Sequence, residues 1–483
     1  MEQRTVIVGG GLAGLAAAAA LTARGVGVVL LEARARLGGR AGSFADPETG
    51  ETIDNCQHVG LGCCTNLSHF CRLVGIADQF REERRLTFVG PEGTICRFEE
   101  SWWPAPLHLL GGFRSLTYFS GDERRRLARA LRALARPMSG NESCQTFEDW
   151  LVGHDQSEAL RERFWNVVLV SALSETLDRV DAGYARKVFV DTFLSNRTGW
   201  RMQVPTAPLD TLFNETVKEW LAARGVDVRT STEVRQLEQV DGRLKSVLLR
   251  DGTRVAGEAF VVAVPHSRVG PLLAGSAESL PELRGLDQIE TAPISSVHLW
   301  YDRMVTELPH AVLVGRLSQW MFARDALWGG ETAGGEHCYQ VVISASRNVE
   351  AESREAIIST VARELGEIWP EFGRARLVRS RLVTERRAVF SVLPGVDRLR
   401  PGQQSSIGNL QWAGDWTRTG WPATMEGAVR SGYLAAENVL DDLGRGERLV
   451  QGDLPVSRLA SLLLGVPRVD AGSPGGPSPR EGC

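Results

Sequence analysis

The run TVIVGGGLAGLAAAAALTARGVGVVLLE, residues 5–32, decides the fold. Residues 5–8 read as a buried strand. Gly9-Gly10-Gly11-Leu12-Ala13-Gly14 follows as a GxGxxG turn, and an alanine-rich helix runs on to about Arg24. A second strand, residues 26–31, ends at Glu32. This strand–turn–helix–strand order is the dinucleotide fingerprint with its context intact. Gly9 permits the tight turn, Gly11 lets the backbone approach a pyrophosphate, and Gly14 lets helix and strand pack closely. Leu12 and Ala13 open the helix, whose first-turn N–H groups and positive dipole end suit phosphate. Glu32 is spaced to accept from a ribose hydroxyl, with Ala33 and Arg34 just beyond it. The expected fold class is α/β, a Rossmann-type nucleotide domain.

Working outward, 483 residues exceed one ordinary domain. Hydrophobic residues at 43% and charged residues at 24% are ordinary globular values. A net charge of −4 without a basic stripe excludes nucleic acid as a partner. Eight cysteines without a CxxC pair read as reduced thiols of a cytosolic protein. The flanking arginines and the glycine turn argue against a signal peptide at the start. No charge-free apolar run is long enough to read as a span.

Two further segments speak to the cofactor. Leu37-Gly38-Gly39-Arg40 follows the second strand, and LQWAGDWTRTGWPATMEGAVRSGYLAAENVL occupies residues 410–440. Together they resemble the amine-oxidase and phytoene-desaturase group of flavoproteins. The resemblance implies FAD. It implies that Gly38, Gly39 and Arg40 make a second approach to the pyrophosphate, and that Gly414 and Asp415 lie beside the ribityl chain. Thr424 and Met425 then open a helix whose amino terminus faces the flavin edge where negative charge develops. In the middle segment GVDVRTSTEVRQLE, the residue matching Val234 touches adenine through its backbone. No second GxGxxG occurs, so an external electron donor is expected.

The stretch DNCQHVGLGCCTN, residues 54–66, is the most crowded in the chain. Residues 53–59 read as a strand, with Asp54, Cys56 and His58 on one face and Gln57 on the other. Asp54 and His58 then stand roughly 13 Å apart and form no dyad unless the strand breaks. Leu67, Phe70, Cys71 and Val74 recur at helical spacing, with Gly75 as the C-cap. That spacing turns His69 away from Cys71, so a metal site is not expected. The stretch resembles the DNxQH…G…TN pattern of hydroxysqualene dehydroxylases, the squalene-associated FAD-dependent desaturases, although that branch has glycine where this chain has Cys56. The resemblance runs from about residue 4 to about residue 440. It implies a strand beneath the flavin that lines the substrate cavity.

That family's layout implies an FAD-binding domain in three pieces, 1–90, 205–269 and 405–442. These interleave with an α+β substrate domain, 91–204 and 270–404, and leave a tail, 443–483. The expected activity is removal of the allylic hydroxyl of hydroxysqualene, with hydride delivered by reduced flavin. His58 is the first choice of acid for the departing water and Asp54 the second, each with a purely structural alternative. Gln57, Trp102, Trp103 and Trp421 are expected in the pocket of an apolar isoprenoid. A carotenoid desaturase, an amine oxidase and a non-catalytic FAD scaffold are the rival readings. The segment ISSVHLWYD reads as an alternating strand. Residues 455–466 form a short leucine-rich helix, followed by a disordered Gly/Pro/Ser segment from 470 on. The protein is expected to touch the inner face of the cytoplasmic membrane peripherally, through the apolar rim of the substrate domain and Leu459, Leu462 and Leu463.

Overall fold

The computed structural model describes residues 4–138, 145–274, 280–329 and 335–468. Its nucleotide layer is a five-stranded parallel sheet. In order across the sheet the strands are Asp227–Arg229, Gly27–Leu31, Arg4–Val8, Ala259–Val262 and Leu410–Trp412. The two central strands read almost wholly apolar because both faces of a parallel sheet are covered by other elements. All five carboxyl ends point to one edge, where ligands of open α/β sheets bind. Gly9, Glu32 and Gly414 each follow one of these strands and therefore gather there.

The helix Leu12–Thr22 packs against the closing helix Met425–Asp442, more than 400 residues away in sequence. The contact is close because the facing residues are small. A Cβ on Gly432 would stand 2.2 Å from the Ala13 carbonyl oxygen and 3.0 Å from Ala16 Cβ. The alanine run is thus an interface as well as a helix former.

The second layer is a seven-stranded sheet. Its order is Leu377–Phe390, Thr291–Tyr301, His337–Ser344, Trp320–Ala323, His310–Leu313, Arg85–Val89 and Ile95–Glu99. The strand Thr291–Tyr301 was expected to alternate between core and solvent, yet it is buried nearly throughout. The alternation is one of chemistry. Val297, Leu299 and Tyr301 pack with Ile357, Val361 and Leu365 of the helix Arg354–Ile368. On the opposite face, Ser296 bonds Gln340, and Trp300 packs with Ile53 of the hairpin Ser43–Ala45/Thr52–Asp54. Residues 158–194 form helical segments, two of them π-helical, Arg161–Asn166 and Val188–Leu194. The tail forms the helix Arg458–Leu464, pinned where Ser457 Oγ donates to the Ala105 carbonyl at 2.8 Å. The expected disorder from residue 470 on lies outside the described residues.

Candidate active site

Two glycine turns face each other at the carboxyl edge of the parallel sheet. Gly9 has φ +109, and Gly38 and Gly39 have φ +89 and +63, values that L side chains rarely adopt. The Gly38 amide donates to the Gly10 carbonyl at 2.8 Å, which holds the turns together. A Cβ on Gly14 would stand 1.9 Å from the Gly9 carbonyl oxygen, so this glycine serves helix–strand packing. Gly11 differs. A Cβ there would meet nothing nearer than Gly39 Cα at 4.0 Å. As the helix N-cap, Gly11 also brings no side chain to the first-turn amides of Leu12 and Ala13. Open space over uncapped amides is what a bound pyrophosphate needs.

The rest of the constellation fits a dinucleotide as well. Glu32 accepts from the amides of Gly10 and Arg34 at 2.7 and 2.8 Å, which fixes the carboxylate at the end of its strand. The segment leading to Val234 lies alongside. Thr232 N donates to the Glu32 carbonyl, and Ser231 N to that of Arg34, leading directly into Val234 of the strand Val234–Val240. Arg40 Nη2 pairs with Asp415 Oδ1 at 2.6 Å, and Arg40 Nη1 donates to the Ala388 carbonyl. Burial opposes the Arg40 charge, but the Asp415 carboxylate more than offsets it and raises the pKa. Gly414 has φ +138, and a Cβ there would strike Trp416 Nε1 at 2.3 Å. The residues present therefore fit FAD, held by both glycine turns, Glu32, Gly414–Asp415 and the amino terminus of the helix Met425–Asp442.

The stretch 54–66 is arranged differently from the expectation. The strand ends at Asp54, residues 55–59 are irregular, and only Gly60–Leu61 pairs again. Asp54 is buried. Its carboxylate accepts from Ser43 Oγ at 2.6 Å and from Leu209 N at 3.1 Å, and its Oδ2 has no partner. Burial pushes its pKa up to about 7. It is not among the residues lining the cavity, and its bonds brace the hairpin. His58 is held by the backbone. Its Nδ1 lies 3.0 Å from the Cys56 carbonyl, which only accepts, so this nitrogen carries the proton of the neutral ring. Burial, opposed only in part by that carbonyl, lowers its pKa, and Arg40 adds to the lowering. In the neutral ring that proton is engaged by the Cys56 carbonyl. The end of the stretch joins the closing helix. Buried Glu426 accepts from the backbone and side-chain amides of Asn66 and, at 2.7 Å, from Leu67 N. It thereby caps the helix Thr65–Leu73, which has no side-chain cap of its own. Arg430 balances that charge and reaches Asp453. His69 Nδ1 bonds the Tyr433 hydroxyl at 2.8 Å. Among the described residues, no three His, Cys, Asp or Glu side chains gather to hold a metal.

A cavity opens beside Met425. Its wall is apolar and largely aromatic: Phe88, Phe98, Phe113, Phe164, Phe189, Trp200 and Trp320 line it. Gln57 and Trp421 are on the wall. Trp102 and Trp103 are not. They stack on one another at 4.2 Å and stand 72% and 47% exposed. The neighbouring Phe98 and Phe113 face the cavity in their place, because aromatic composition does not tell which way a loop turns. Sequence reasoning also missed three groups. Glu426 lies inside the quoted closing motif without a local signal. Arg400 is fully buried and fastens the loop 415–421 by donating to the carbonyls of Asp415, Thr417 and Trp421. Lys187 lines the cavity and had a faint signal, since only three of 55 basic residues are lysine.

Gly11→Val should fold, melting within about 3 °C of wild type stripped of FAD, because its side chain enters open space. It should retain less than about one tenth of the flavin, read from visible absorbance. Gly14→Val should fail to fold, and stoichiometric flavin on folded Gly11→Val would refute the assignment. Asp54 generates a second expectation. Its folded pKa of about 7 lies above the ordinary 3.8, so the folded state binds more protons between these values. The stability it lends is complete below the unfolded value and is lost as pH rises through the folded one. Asp54→Asn cannot ionise. The melting-temperature difference, variant minus wild type, should therefore grow more positive from pH 5 to pH 8. A flat difference would show that Asp54 is already ionised at pH 5.

The family model for flavin containing amine oxidoreductases matches residues 12–440. The hydroxysqualene dehydroxylase of Sinorhizobium fredii is 29% identical over 454 residues, covering 92% of this chain and 99% of its own. The 15-cis-phytoene desaturase of Solanum lycopersicum is 26% identical over 466 residues, covering 92% and 79% respectively. Cyclohexylamine oxidase from Brevibacterium oxydans shares the fold with a TM-score of 0.66 at 16% identity, over 92% of this chain and 100% of that one. The chain belongs to the flavin containing amine oxidoreductase family and is an FAD-dependent oxidoreductase.

Proposed function

We propose that this enzyme acts on a long isoprenoid and removes the hydroxyl of hydroxysqualene to give squalene. The observation that carries the substrate class is the cavity: aromatic and aliphatic side chains form nearly all of its wall. A substrate with almost nothing to hydrogen-bond is recognised by shape and apolar area. The full-length match to a hydroxysqualene dehydroxylase supports the choice of reaction. The phytoene desaturases, matched at 26% identity, favour a desaturase as the second reading. In this reading residues 1–90, 205–269 and 405–442 make the cofactor domain, and 91–204 with 270–404 the substrate domain.

Bound FAD supplies hydride-transfer chemistry, with electrons from an external donor. The protein's own residues do the rest. The glycine turns and Glu32 fix the cofactor, and the helix amino terminus at Met425 favours negative charge at its edge. The aromatic wall excludes water from the reacting carbon. The net change replaces a C–O bond by a C–H bond and releases water. Mixed anaerobically, hydroxysqualene should reoxidise the reduced enzyme within a stopped-flow record and appear as squalene in the extract. An enzyme that stays reduced with hydroxysqualene, yet is bleached from its oxidised form by phytoene, would establish the desaturase reading.

We further propose that the enzyme collects its substrate at the inner surface of the cytoplasmic membrane without crossing it. Among the described residues no helix is long and apolar enough to span. Exposed Trp102 and Trp103 lie in the loop between cavity-lining Phe98 and Phe113, and exposed Leu110 begins the helix that carries Phe113. The tail helix, with Leu462 80% and Leu463 39% exposed and Leu459 half-buried, is pinned to the same loop at Ala105. Such attachment rests on buried apolar area, so high salt should leave the protein on floated vesicles and mild detergent should release it. Trp102→Ser with Trp103→Ser should weaken partitioning by about tenfold or more. Full-length protein that never floats would refute the attachment.

A further inference from the structure

The cavity wall carries one ion pair that no other part of the site explains. Lys187 Nζ lies 2.6 Å from Asp191 Oδ2, one turn further along the chain. The ammonium also stands 4.4 Å from the centroid of the Trp421 ring. All three side chains line the cavity at the end formed by Thr424 and Met425. Lys187 keeps 22% and Asp191 34% of their side-chain exposure, and both line the cavity. The other carboxylate on this part of the wall, Glu426, is already engaged by Asn66, Leu67 and Arg430.

A charged pair in an apolar cavity is costly. Each ion gives up hydration that the pair's own attraction repays only in part, and a hydrophobic pair of similar volume is often at least as stable. Burial alone works against the Lys187 charge. Asp191, with Asp453 behind it, more than offsets this, although Arg430 opposes them, and the lysine stays protonated. Asp191 is carried by the π-helical segment Val188–Leu194, a helix form frequent at functional sites.

We infer that Lys187 and Asp191 form the hydroxyl anchor of the substrate cavity, the element that selects an alcohol over a hydrocarbon of the same length. The inference rests on the isoprenoid-alcohol reading above. The chemistry is complementary. An ammonium offers donors and a carboxylate offers acceptors, side by side, and an alcohol needs one of each. A hydrocarbon satisfies neither, so the ammonium protons and carboxylate lone pairs not used within the pair stay unbonded. The Trp421 ring holds the ammonium through its electron-rich face, limiting where the hydroxyl can sit. Discrimination of this kind is large when the site, rather than the ligand, is left with unpaired polar groups.

The test is equilibrium binding to the oxidised holoenzyme in detergent, read from the visible spectrum of the flavin. The probes are hydroxysqualene and squalene. Wild type should bind the alcohol at least tenfold more tightly than the hydrocarbon. Lys187→Met should raise the Kd for hydroxysqualene about tenfold and change that for squalene less than twofold, with flavin content and melting temperature retained. Lys187→Arg should keep most of the preference. Asp191→Ala should lose it and carries the test if Lys187→Met does not fold. If wild type prefers the alcohol and both truncations keep that preference, the anchor is wrong and the reaction assignment stands. If wild type shows no preference and hydroxysqualene fails to reoxidise the reduced enzyme, both are wrong.

Discussion

The close crossing of the first and last long helices sets the geometry on which the rest depends. Gly432 admits the Ala13 carbonyl where any side chain would collide. The alanine run on one helix and the small residues on the other therefore bring the two amino termini to one edge of the parallel sheet. One terminus offers uncapped amides beneath the two glycine turns. The other begins at Met425, on the wall of the substrate cavity. Two helix dipoles aimed at one region create a site for an anionic, extended cofactor before any side chain contributes. Arg40 and Asp415 then tie the amino-terminal turn to the carboxyl-terminal one, with opposite charges 2.6 Å apart.

Around this frame the polar groups divide by task. Glu426, Arg430 and Asp453 join the closing helix to the helix Thr65–Leu73 and to the chain beyond residue 450. Arg400 fastens the loop 415–421 through main-chain carbonyls, which a planar guanidinium reaches several at a time. Asp54 secures the hairpin beneath the seven-stranded sheet. Each of these groups is satisfied mostly within the protein. Lys187 and Asp191 differ in facing the cavity, and their donor and acceptor capacity is directed at whatever binds there. A mostly apolar wall that carries an ion pair beside Trp421 suits a long apolar molecule with one oxygen.

The nucleotide fold was legible because its signals are local. Glycines at fixed offsets, a strand before and after, and an acid near the proper distance need no knowledge of the remainder of the chain. The GG turn at residues 38–39 and the Gly414–Asp415 pair were legible through resemblance, and their positive φ values explain why glycine stands there. The stretch 54–66 was only half legible. Its composition marked it as part of a site, but period-two reasoning assumed an unbroken strand. In the fold, Asp54 is held by Ser43 and Leu209, from elements 11 and 155 residues away, and the chain beyond it leaves the sheet.

The sequence by itself determined the nucleotide fold and its first glycine turn, since these follow from backbone geometry within short segments, and resemblance added the other turns and the class of chemistry. Only the tertiary structure decided which side chains meet the substrate. Trp102 and Phe98 are equally aromatic on paper, yet one faces solvent and the other the cavity. Lys187 became conspicuous only when folding placed it against Asp191 and Trp421 inside an apolar wall. Direction and burial are properties of packing between distant segments, and no local pattern of residues encodes them.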